Sequence, residues 1–547
     1  MKAILLAFSF LFSGSIVDAQ NWNWARQNGS TSIDGASGFT VDNDGNCYFA
    51  GSFSGPYCYF TNDTSAYCQG DNDLYIIKYD RSGNELWFKQ FGSSFSGGSC
   101  SEGPGRLVVD SFKNIYLVGA FCGNINLGTN HLTGFGKEIF LAKFDSVGGC
   151  IWAVSAGGFG SDAGGGIIQD DQGNIYICGY NSQQAIFGND TIPAGGFIAK
   201  YDSSGNVIWA KNKFRYSNNN ASSEILPSDL KIFNSHILFS GNARNDTIVV
   251  DSITVLVPQI ILSSTLASFD TSGNVEWIRI FGGNQSGTGF NFSVDNSGNA
   301  YVTGGFVGTG YFGNDTLTTT SQFDFSLTKI DINGSIQWTH QANSSVLCSG
   351  TATSTSPGDG SIYVTGYFKG DATFGNHNIS ASTGQDMFLA RYDSNGTCLG
   401  VLHCGPAQGV FVAQNSNGNP FVCGLFQGTL HIGSDSLTYH GQDDIFVAKC
   451  DVFIGIDTVV TLSRGNQLVI YPNPVKGKCD VAIPDEFLRE QKLLVSIYDY
   501  TGRLIQQKSL LIFERQIKLN LEDEARGIYN VTLSDGKNNY SGKIVNE

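Results

Sequence analysis

Along most of the chain, apolar and polar positions alternate in short runs, and the runs repeat. One recurring unit is a polar turn, a short strand and a glycine. It reads DNDGNCYFAG ending at Gly51, DSFKNIYLVG at Gly119, DDQGNIYICG at Gly179 and FNSHILFSG at Gly241. It returns as DNSGNAYVTG at Gly304, GDGSIYVTG at Gly366 and NSNGNPFVCG at Gly424. These glycines stand about 62 residues apart, a period that marks a repeat architecture. A second unit is an alternating strand ending in aspartate, then a turn, then usually tryptophan. Examples are DLYIIKYDRSGNELW (Asp80, Trp87), IFLAKFDSVGGCIW (Asp145, Trp152) and GFIAKYDSSGNVIW (Asp202, Trp209). LASFDTSGNVEW (Asp270, Trp277) and FSLTKIDINGSIQW (Asp331, Trp338) follow. MFLARYDSNGTCLG (Asp393) has lost the tryptophan, and IFVAKCD (Asp451) has no such strand after it. Between the two units lies a weaker FG-x-x-x-hydrophobic piece: Phe187-Gly188, Phe312-Gly313 and Phe374-Gly375. Each repeat thus supplies four strand-like pieces. Period-two alternation with D-x-x-G-N turns predicts antiparallel strands joined by hairpins.

The repeats predict an all-β fold over residues 20–451: a seven-bladed β-propeller with four-stranded antiparallel blades. The last repeat lacks its tryptophan strand, and the segment Asn21-Trp22-Asn23-Trp24-Ala25 has no repeat of its own. If that N-terminal strand completes the last blade, the ring closes and no sheet edge is left exposed. The D-x-x-G-N-x-Y-V-x-G and K-Y-D-x-x-G-x-x-x-W strings resemble the SBBP family of bacterial β-propeller repeats, a resemblance that implies a secreted or surface protein. The fourth repeat, Ile225 to Leu262, departs most from the pattern, having lost D-x-x-G-N.

After Asp451 the texture changes. A connector, 452–466, leads to a segment with fewer glycines and more charge. Its strand-like pieces are Gln467–Pro474, Leu493–Arg503, Gln516–Leu521, Gly527–Leu533 and the run from Gly542, which predict a small antiparallel β-sandwich over 467–547. Tyr471-Pro472-Asn473-Pro474, then Ile497-Tyr498-Asp499 with Gly502, then Gly527-Ile528-Tyr529 and finally Lys543-Ile544-Val545 occur in order. This series resembles the type A C-terminal sorting domain of the type IX secretion system of Bacteroidetes. The resemblance implies that the secretion machinery is a partner and that the chain crosses the outer membrane, to be released or held at the cell surface.

The N-terminus agrees with export. Lys2 precedes an apolar run, and small residues precede Gln20, so residues 1–19 read as a signal peptide cleaved between Ala19 and Gln20. No later stretch is long and apolar enough to span a membrane as a helix, so no transmembrane segment is expected in the mature chain.

Composition narrows the function. Of 547 residues 69 are glycine, nearly double the ordinary share of roughly 7%, and aromatics make up 12%. The net charge of −16 disfavours nucleic acid as a partner. Thirteen cysteines in an exported chain permit disulfides. Cys58/Cys68 and Cys398/Cys404 are near enough in sequence to staple local loops, whereas Cys178 and Cys423 sit in apolar strands and read as buried thiols.

Catalytic strings are absent from the sequence: no H-E-x-x-H, no G-x-S-x-G and no phosphate-binding loop. The G-x-G-x-x-G at Gly308, Gly310 and Gly313 lies between strands, without the helix that a dinucleotide site needs. Asp42-Asn43-Asp44-Gly45-Asn46 and Asp295–Asn299 lack the remaining ligands of a calcium loop and read as turns. The repeat aspartates (80, 145, 202, 270, 331, 393, 451) should bond turn amides, and the repeat tryptophans should pack blade on blade. No catalytic, cofactor or metal residue stands out, with calcium at loop-end carboxylates left open. The expected function is a secreted or cell-surface, non-enzymatic binding scaffold, for polysaccharide or another protein. The alternatives are an extracellular carbohydrate-active hydrolase or lyase, and a calcium-stabilised adhesin.

Overall fold

The structure, a computed structural model, describes residues 22–92, 103–216, 226–451 and 468–546. Short breaks within these fall at 33, 55–56, 61–64, 69–71, 244–246, 252, 257–262, 284–285, 320, 383, 469, 472–474, 476, 484–486, 488–491, 500–502, 512–515, 523 and 535–538. The signal-cleavage pair Ala19 and Gln20, the connector 452–466 and, in and beside the fourth repeat, residues 217–225, 244–246, 252 and 257–262 therefore lie outside the described residues. The chain divides into two compact units, Met1–Gly455 and Ile456–Glu547.

Seven four-stranded antiparallel sheets follow one another among the described residues of the first unit. Blade 1 comprises Asp34–Val41, Cys47–Phe53, Asp73–Tyr79 and Glu85–Phe91; blade 2, Gly103–Val109, Ile115–Leu127, Asn130–Phe144 and Cys150–Ala156. Blade 3 comprises Asp162–Gln169, Ile175–Asn181, Gly195–Tyr201 and Val207–Tyr216; blade 4, Leu226–Phe233, His236–Ala243, Ser263–Asp270 and Val275–Gly283. Blade 5 comprises Ser286–Val294, Ala300–Val307, Asp324–Ile330 and Ile336–Ser344; blade 6, Leu347–Thr355, Ile362–Lys369, Asp386–Tyr392 and Cys398–Cys404. Blade 7 takes Ala407–Gln414, Pro420–Phe426 and Asp444–Cys450 from the end of the repeats and Trp22–Ser30 from the N-terminus. First strands of consecutive blades lie side by side, and that of blade 7 meets that of blade 1. The fold is an all-β propeller, as the repeats predict.

The strand that completes each blade is not the FG piece. It is the first strand, which precedes the polar turn, is glycine-rich in several blades, as in DGASGFTV or DAGGGIIQ, and lies innermost. Glycine is required there because inner strands meet backbone to backbone. A Cβ on Gly105 would stand 2.7 Å from the Gly164 carbonyl oxygen, and one on Gly38 would stand 2.9 Å from that of Gly105. The FG pieces instead form short hairpins between the second and third strands. These hairpins reach back to the outer strand of the preceding blade: Gly282 pairs with Tyr311, Asn343 with Thr373, and Asn28 with Phe60. Phe187, Phe312 and Phe374 are buried beneath them. Gly308 and Gly313 flank one such hairpin strand, with φ of +75° and +65°, which accounts for the G-x-G-x-x-G spacing.

The core lies between blades. The blade 7–blade 1 layer joins Phe421, Cys423, Ile445 and Val447 to Cys47, Phe49, Tyr75 and Ile77 around Trp24. Ring closure runs through Trp22–Ser30, which pairs antiparallel with Asp444–Cys450 in a register that sets Gln27 opposite Phe446. Asn23 adds a 3.0 Å hydrogen bond to the Asp451 carboxylate.

The second unit holds a three-stranded sheet (Ile470–Tyr471, Lys478–Ala482, Gln516–Asn520) and a four-stranded one (Leu504–Leu511, Lys492–Asp499, Gly527–Ser534, Asn539–Asn546). Val481, Leu493, Ile497, Val531, Leu533 and Ile544 fill the space between them.

Gly83 carries the closing contact of the ring. Its φ is +80°, and a Cβ there would meet the Trp24 indole at 2.6 Å. Gly384 shares the positive φ, +73°, but a Cβ on it would meet nothing within 4 Å. Both alanine variants carry the same backbone strain, of roughly 1 kcal/mol. Gly83→Ala is expected to lose at least about 1 kcal/mol more than Gly384→Ala through displacement of the indole, read from urea unfolding midpoints. Equal losses would contradict the role assigned to the Trp24 contact.

Candidate functional site

The residues singled out by the repeats fall into two sets at the turns of the blades. The first is the turn between first and second strands. Asp42 accepts from the amides of Asp44 and Asn46 (2.9 Å each), from the Asn46 side-chain amide (2.8 Å) and from the Tyr48 hydroxyl (3.1 Å). Asp295, Asn299 and Tyr301 reproduce the set, as do Asp170, Asn174 and Tyr176. Within each turn the Gly45-type residue donates to the aspartate carbonyl and the aspartate amide bonds the asparagine carbonyl, a three-residue loop whose glycine sits at positive φ. In blade 7 Asn415 takes the aspartate's place and accepts from Asn417 and Asn419, so the turn works without a negative charge.

The second set is the turn between third and fourth strands. Asp80, Asp145, Asp202, Asp270, Asp331 and Asp393 each accept backbone amides of their own turn through Oδ1. The Asn206 donors hold the Asp202 carboxyl below its usual range. Burial works against similar donors at Asp80 and Asp270, yet those carboxyls are also lowered. The expectation that the repeat aspartates bond turn amides therefore holds for these six. Asp451 instead accepts from Asn23.

The tryptophans join blades. Each lies on the glycine of the next blade's turn: Trp24 on Gly83, Trp87 on Gly148, Trp152 on Gly205, Trp209 on Gly273, Trp277 on Gly334 and Trp338 on Gly396. The indole N–H of Trp24, Trp87 and Trp277 donates to the carbonyls of Arg81, Ser146 and Ile332 at 3.1, 3.1 and 2.9 Å. The lysine two residues before the turn aspartate lies over the first-turn tyrosine of its own blade, as Lys78 over Tyr48 at 4.8 Å and Lys329 over Tyr301 at 5.3 Å.

The cysteines depart from expectation. Cys58, Cys68, Cys398 and Cys404 form no disulfide. Cys398 and Cys404 are the two ends of one extended strand. Six residues at ~3.3 Å each put them roughly 20 Å apart, far beyond disulfide reach. Cys58 lies in a hairpin strand opposite Ala66 rather than Cys68. Cys178 and Cys423 are buried free thiols, as expected. Cys122 is disulfide-bonded, which no sequence pattern indicated.

A set of buried carboxyls was not visible in the sequence. Asp73, Asp324, Asp386 and Asp444 open the third strand of their blades and are almost wholly buried. They fasten the loops beside them: Asp324 accepts from Ser321 (2.6 Å), Gln341 (2.8 Å) and Ser344 (3.0 Å), and Asp386 from Ser382 (2.8 Å) and His403 (3.0 Å). Asp34 and Asp162 open inner strands. Burial pushes Asp162 up to about 6 against donors from Ser182 and Gly158. Burial pushes Asp34 up to about 7; the Ser30 amide opposes this, and Asp444 and Asp443 add to it. Among the described residues Asp34 Oδ1 and Asp444 Oδ1 are buried without a hydrogen-bond partner.

In the second unit, Tyr529 is buried and donates to the Ala525 carbonyl at 2.6 Å. Lys543 is exposed, on a strand whose Tyr540 and Ile544 face the core. Gly527 pairs with Asn546, and a Cβ on it would meet nothing within 4 Å, so packing inside this unit does not demand glycine there. Tyr471 pairs with Asp480. Pro472, Asn473, Pro474 and Gly502 lie outside the described residues.

The raised Asp34 has a signed consequence. Its proton stays on in the folded chain up to about pH 7 but leaves the unfolded chain near 3.8. The stability it contributes is full below about pH 4 and lost as pH rises through about 7. Asp34→Asn, which keeps an acceptor for Ser30, is therefore expected to be more stable than the parent at pH 8 by about 1–2 kcal/mol, with the gap closing by pH 4. Unfolding midpoints of both chains across that range are the check; a gap independent of pH would contradict it.

Residues 469–547 match the secretion system C-terminal sorting domain, and residues 276–304 match the β-propeller repeat family SBBP. An uncharacterised WD repeat-containing protein, L264, of Acanthamoeba polyphaga mimivirus is 28% identical over 165 residues, which span 26% of this chain and 12% of that protein. Among solved structures, the Dos1 propeller is similar at 8% identity and a TM-score of 0.39, covering 78% of this chain and 95% of its own. A DUF4221 family member from Bacteroides vulgatus is similar at 12% identity and a TM-score of 0.30, covering 62% and 90%. Among the described residues no helix is long and apolar enough to cross a membrane. The chain is an all-β propeller that carries an SBBP-type repeat and, after it, a C-terminal sorting domain of the type IX secretion system, which makes it a secreted, cell-surface protein.

Proposed function

We propose that the propeller is a non-catalytic binding scaffold, carried to the cell surface by its sorting domain. One observation carries this reading: the acidic side chains that recur around the ring are committed to holding the backbone. The turn aspartates accept amides of their own turns, and Asn415 replaces one without loss of the turn. The buried aspartates at the third strands accept donors from adjacent loops. A hydrolase built on carboxylates needs a pair free to face substrate. Variation instead concentrates in the hairpins between second and third strands. There the outward position is Tyr59, Asn126, Ile186, Tyr311, Thr373 or His431, while Cys58 before Tyr59 and the residues on both sides of the other five stay in the core. A constant frame presenting changing side chains is what a binding surface requires. The sorting domain docks with the type IX machinery, and polysaccharide or protein is the ligand of the propeller.

The full secreted chain, assayed on a broad panel of glycoside hydrolase and lyase substrates, is expected to show saturable binding to a surface polymer or protein and no turnover. Clear turnover would overturn the scaffold reading. Deleting residues 467–547 is expected to leave the chain in the periplasmic fraction, and delivery of that truncation to the surface would contradict the assigned role of the sorting domain.

A further inference from the structure

Two Gly-Phe-Gly tripeptides, outside the repeat motifs, meet at the edge of blade 2. Gly134-Phe135-Gly136 bulges from the long hairpin that joins the second and third strands, between the pairs Thr133–Asn124 and Lys137–Cys122. Gly158-Phe159-Gly160 lies in the connection to blade 3. Phe135 is 83% exposed and Phe159 is 81% exposed, with ring centroids 5.8 Å apart and planes tilted by 38°. Two phenylalanines standing together in water are costly, so a purpose is called for.

The pair is not a loose loop tip. Lys137 and Ser161 form a parallel bridge between the two segments. The Phe135 amide donates to Glu138 at 2.9 Å, and the Gly158 amide donates to Asp162 at 2.9 Å. Ser161 donates to Ser182 at 2.6 Å, and Gly157 bridges Ile186 of the next hairpin. The flanking glycines are there for close approach: a Cβ on Gly136 would stand 2.6 Å from the Gly160 carbonyl oxygen, and one on Gly160 would collide with Ser182 Oγ. Backbone therefore packs on backbone, and both rings are held out by a fixed frame. Beside Phe159 run the exposed side chains of Gln183 and Gln184, with Gln183 Cβ 3.3 Å from where a Cβ of Gly160 would be, and then Ile186, 57% exposed.

We propose that Phe135 and Phe159, with the neighbouring amides of Gln183 and Gln184, form a binding site for a neutral polysaccharide chain. The inference rests on the scaffold reading and names its ligand class and site. Area argues against a protein occupant. Two rings of this exposure offer about 300 Å², against roughly 800 Å² a side in a stable protein–protein interface. Aromatic faces instead suit the C–H faces of a sugar ring, and side-chain amides, which both donate and accept, suit its hydroxyls. Charge disfavours polyanions, because the whole chain carries −16.

The test uses the full secreted chain in affinity electrophoresis and pull-down with cellulose, chitin, amylose and mannan. The parent is expected to be retained by at least one of the four, and Phe135→Ala/Phe159→Ala to bind it at least ~10-fold more weakly. Both rings are exposed, so the double variant should keep the parent's circular dichroism and melting temperature, and Phe135→Trp/Phe159→Trp should retain binding. Retention unchanged in the alanine variant would overturn this site while leaving the scaffold reading in place. No retention of the parent on any of the four polymers would overturn the ligand class. A parent that self-associates, and loses that association with the two rings, would overturn it in favour of an interface between copies.

Discussion

The ring stands on one repeated contact, an indole laid flat over a glycine of the neighbouring sheet. A sheet of four strands buries little by itself, and the apolar layers here lie between sheets. Spacing and angle between sheets must then be fixed by something rigid. Tryptophan supplies a large plane with a donor at its edge, and the turn glycine supplies a flat backbone with a carbonyl in reach. An indole reaches the turn glycine at six of the junctions, from Trp24 to Trp338, with Lys89 nearer still at Gly148 and His340 at Gly396. Blade 6 has Gly400 where the tryptophan would be, so its junction with blade 7 is made differently.

The polar network serves the same end. The aspartate that opens most of these turns, or Asn415 in blade 7, satisfies two amides that a three-residue loop leaves without strand partners. A tyrosine two residues beyond the asparagine then bonds that aspartate while its ring supports the lysine of the third strand. A motif that looks like chemistry in the sequence is thus one turn, one strand and one side-chain ladder, repeated. Lys113 marks the strength of the constraint: it occupies the glycine position of its turn at φ +67°, with its ammonium held by Asp42 and Asp44 of the previous blade.

Much of this was legible because each signal is local. Trp87 or Asp80 needs only its own neighbours to be read as a joint or a turn. The inner strands were hidden because close backbone approach replaces alternation by glycine, as in DAGGGIIQ, which reads as a loop. The FG pieces were seen but given the wrong place, since their partner is the preceding blade's outer strand, at an unknown separation in sequence. Buried acids such as Asp34 and Asp386 look like any polar residue beside a strand until the loop folds over them. The paired Phe135 and Phe159 could not be found from spacing at all, because only the fold brings two glycine-flanked phenylalanines together.

The pairing of Trp22–Ser30 with Asp444–Cys450 joins segments more than 400 residues apart. Contacts of such separation form late, because the chain between them must first be ordered. Until that happens, Asp444–Cys450 offers a bare edge of unsatisfied amides and carbonyls, able to recruit a strand from any chain nearby. During export the vulnerable species is therefore a nearly finished wheel with one open spoke, and a chaperone or a translocation pore would have to shield that edge before anything else.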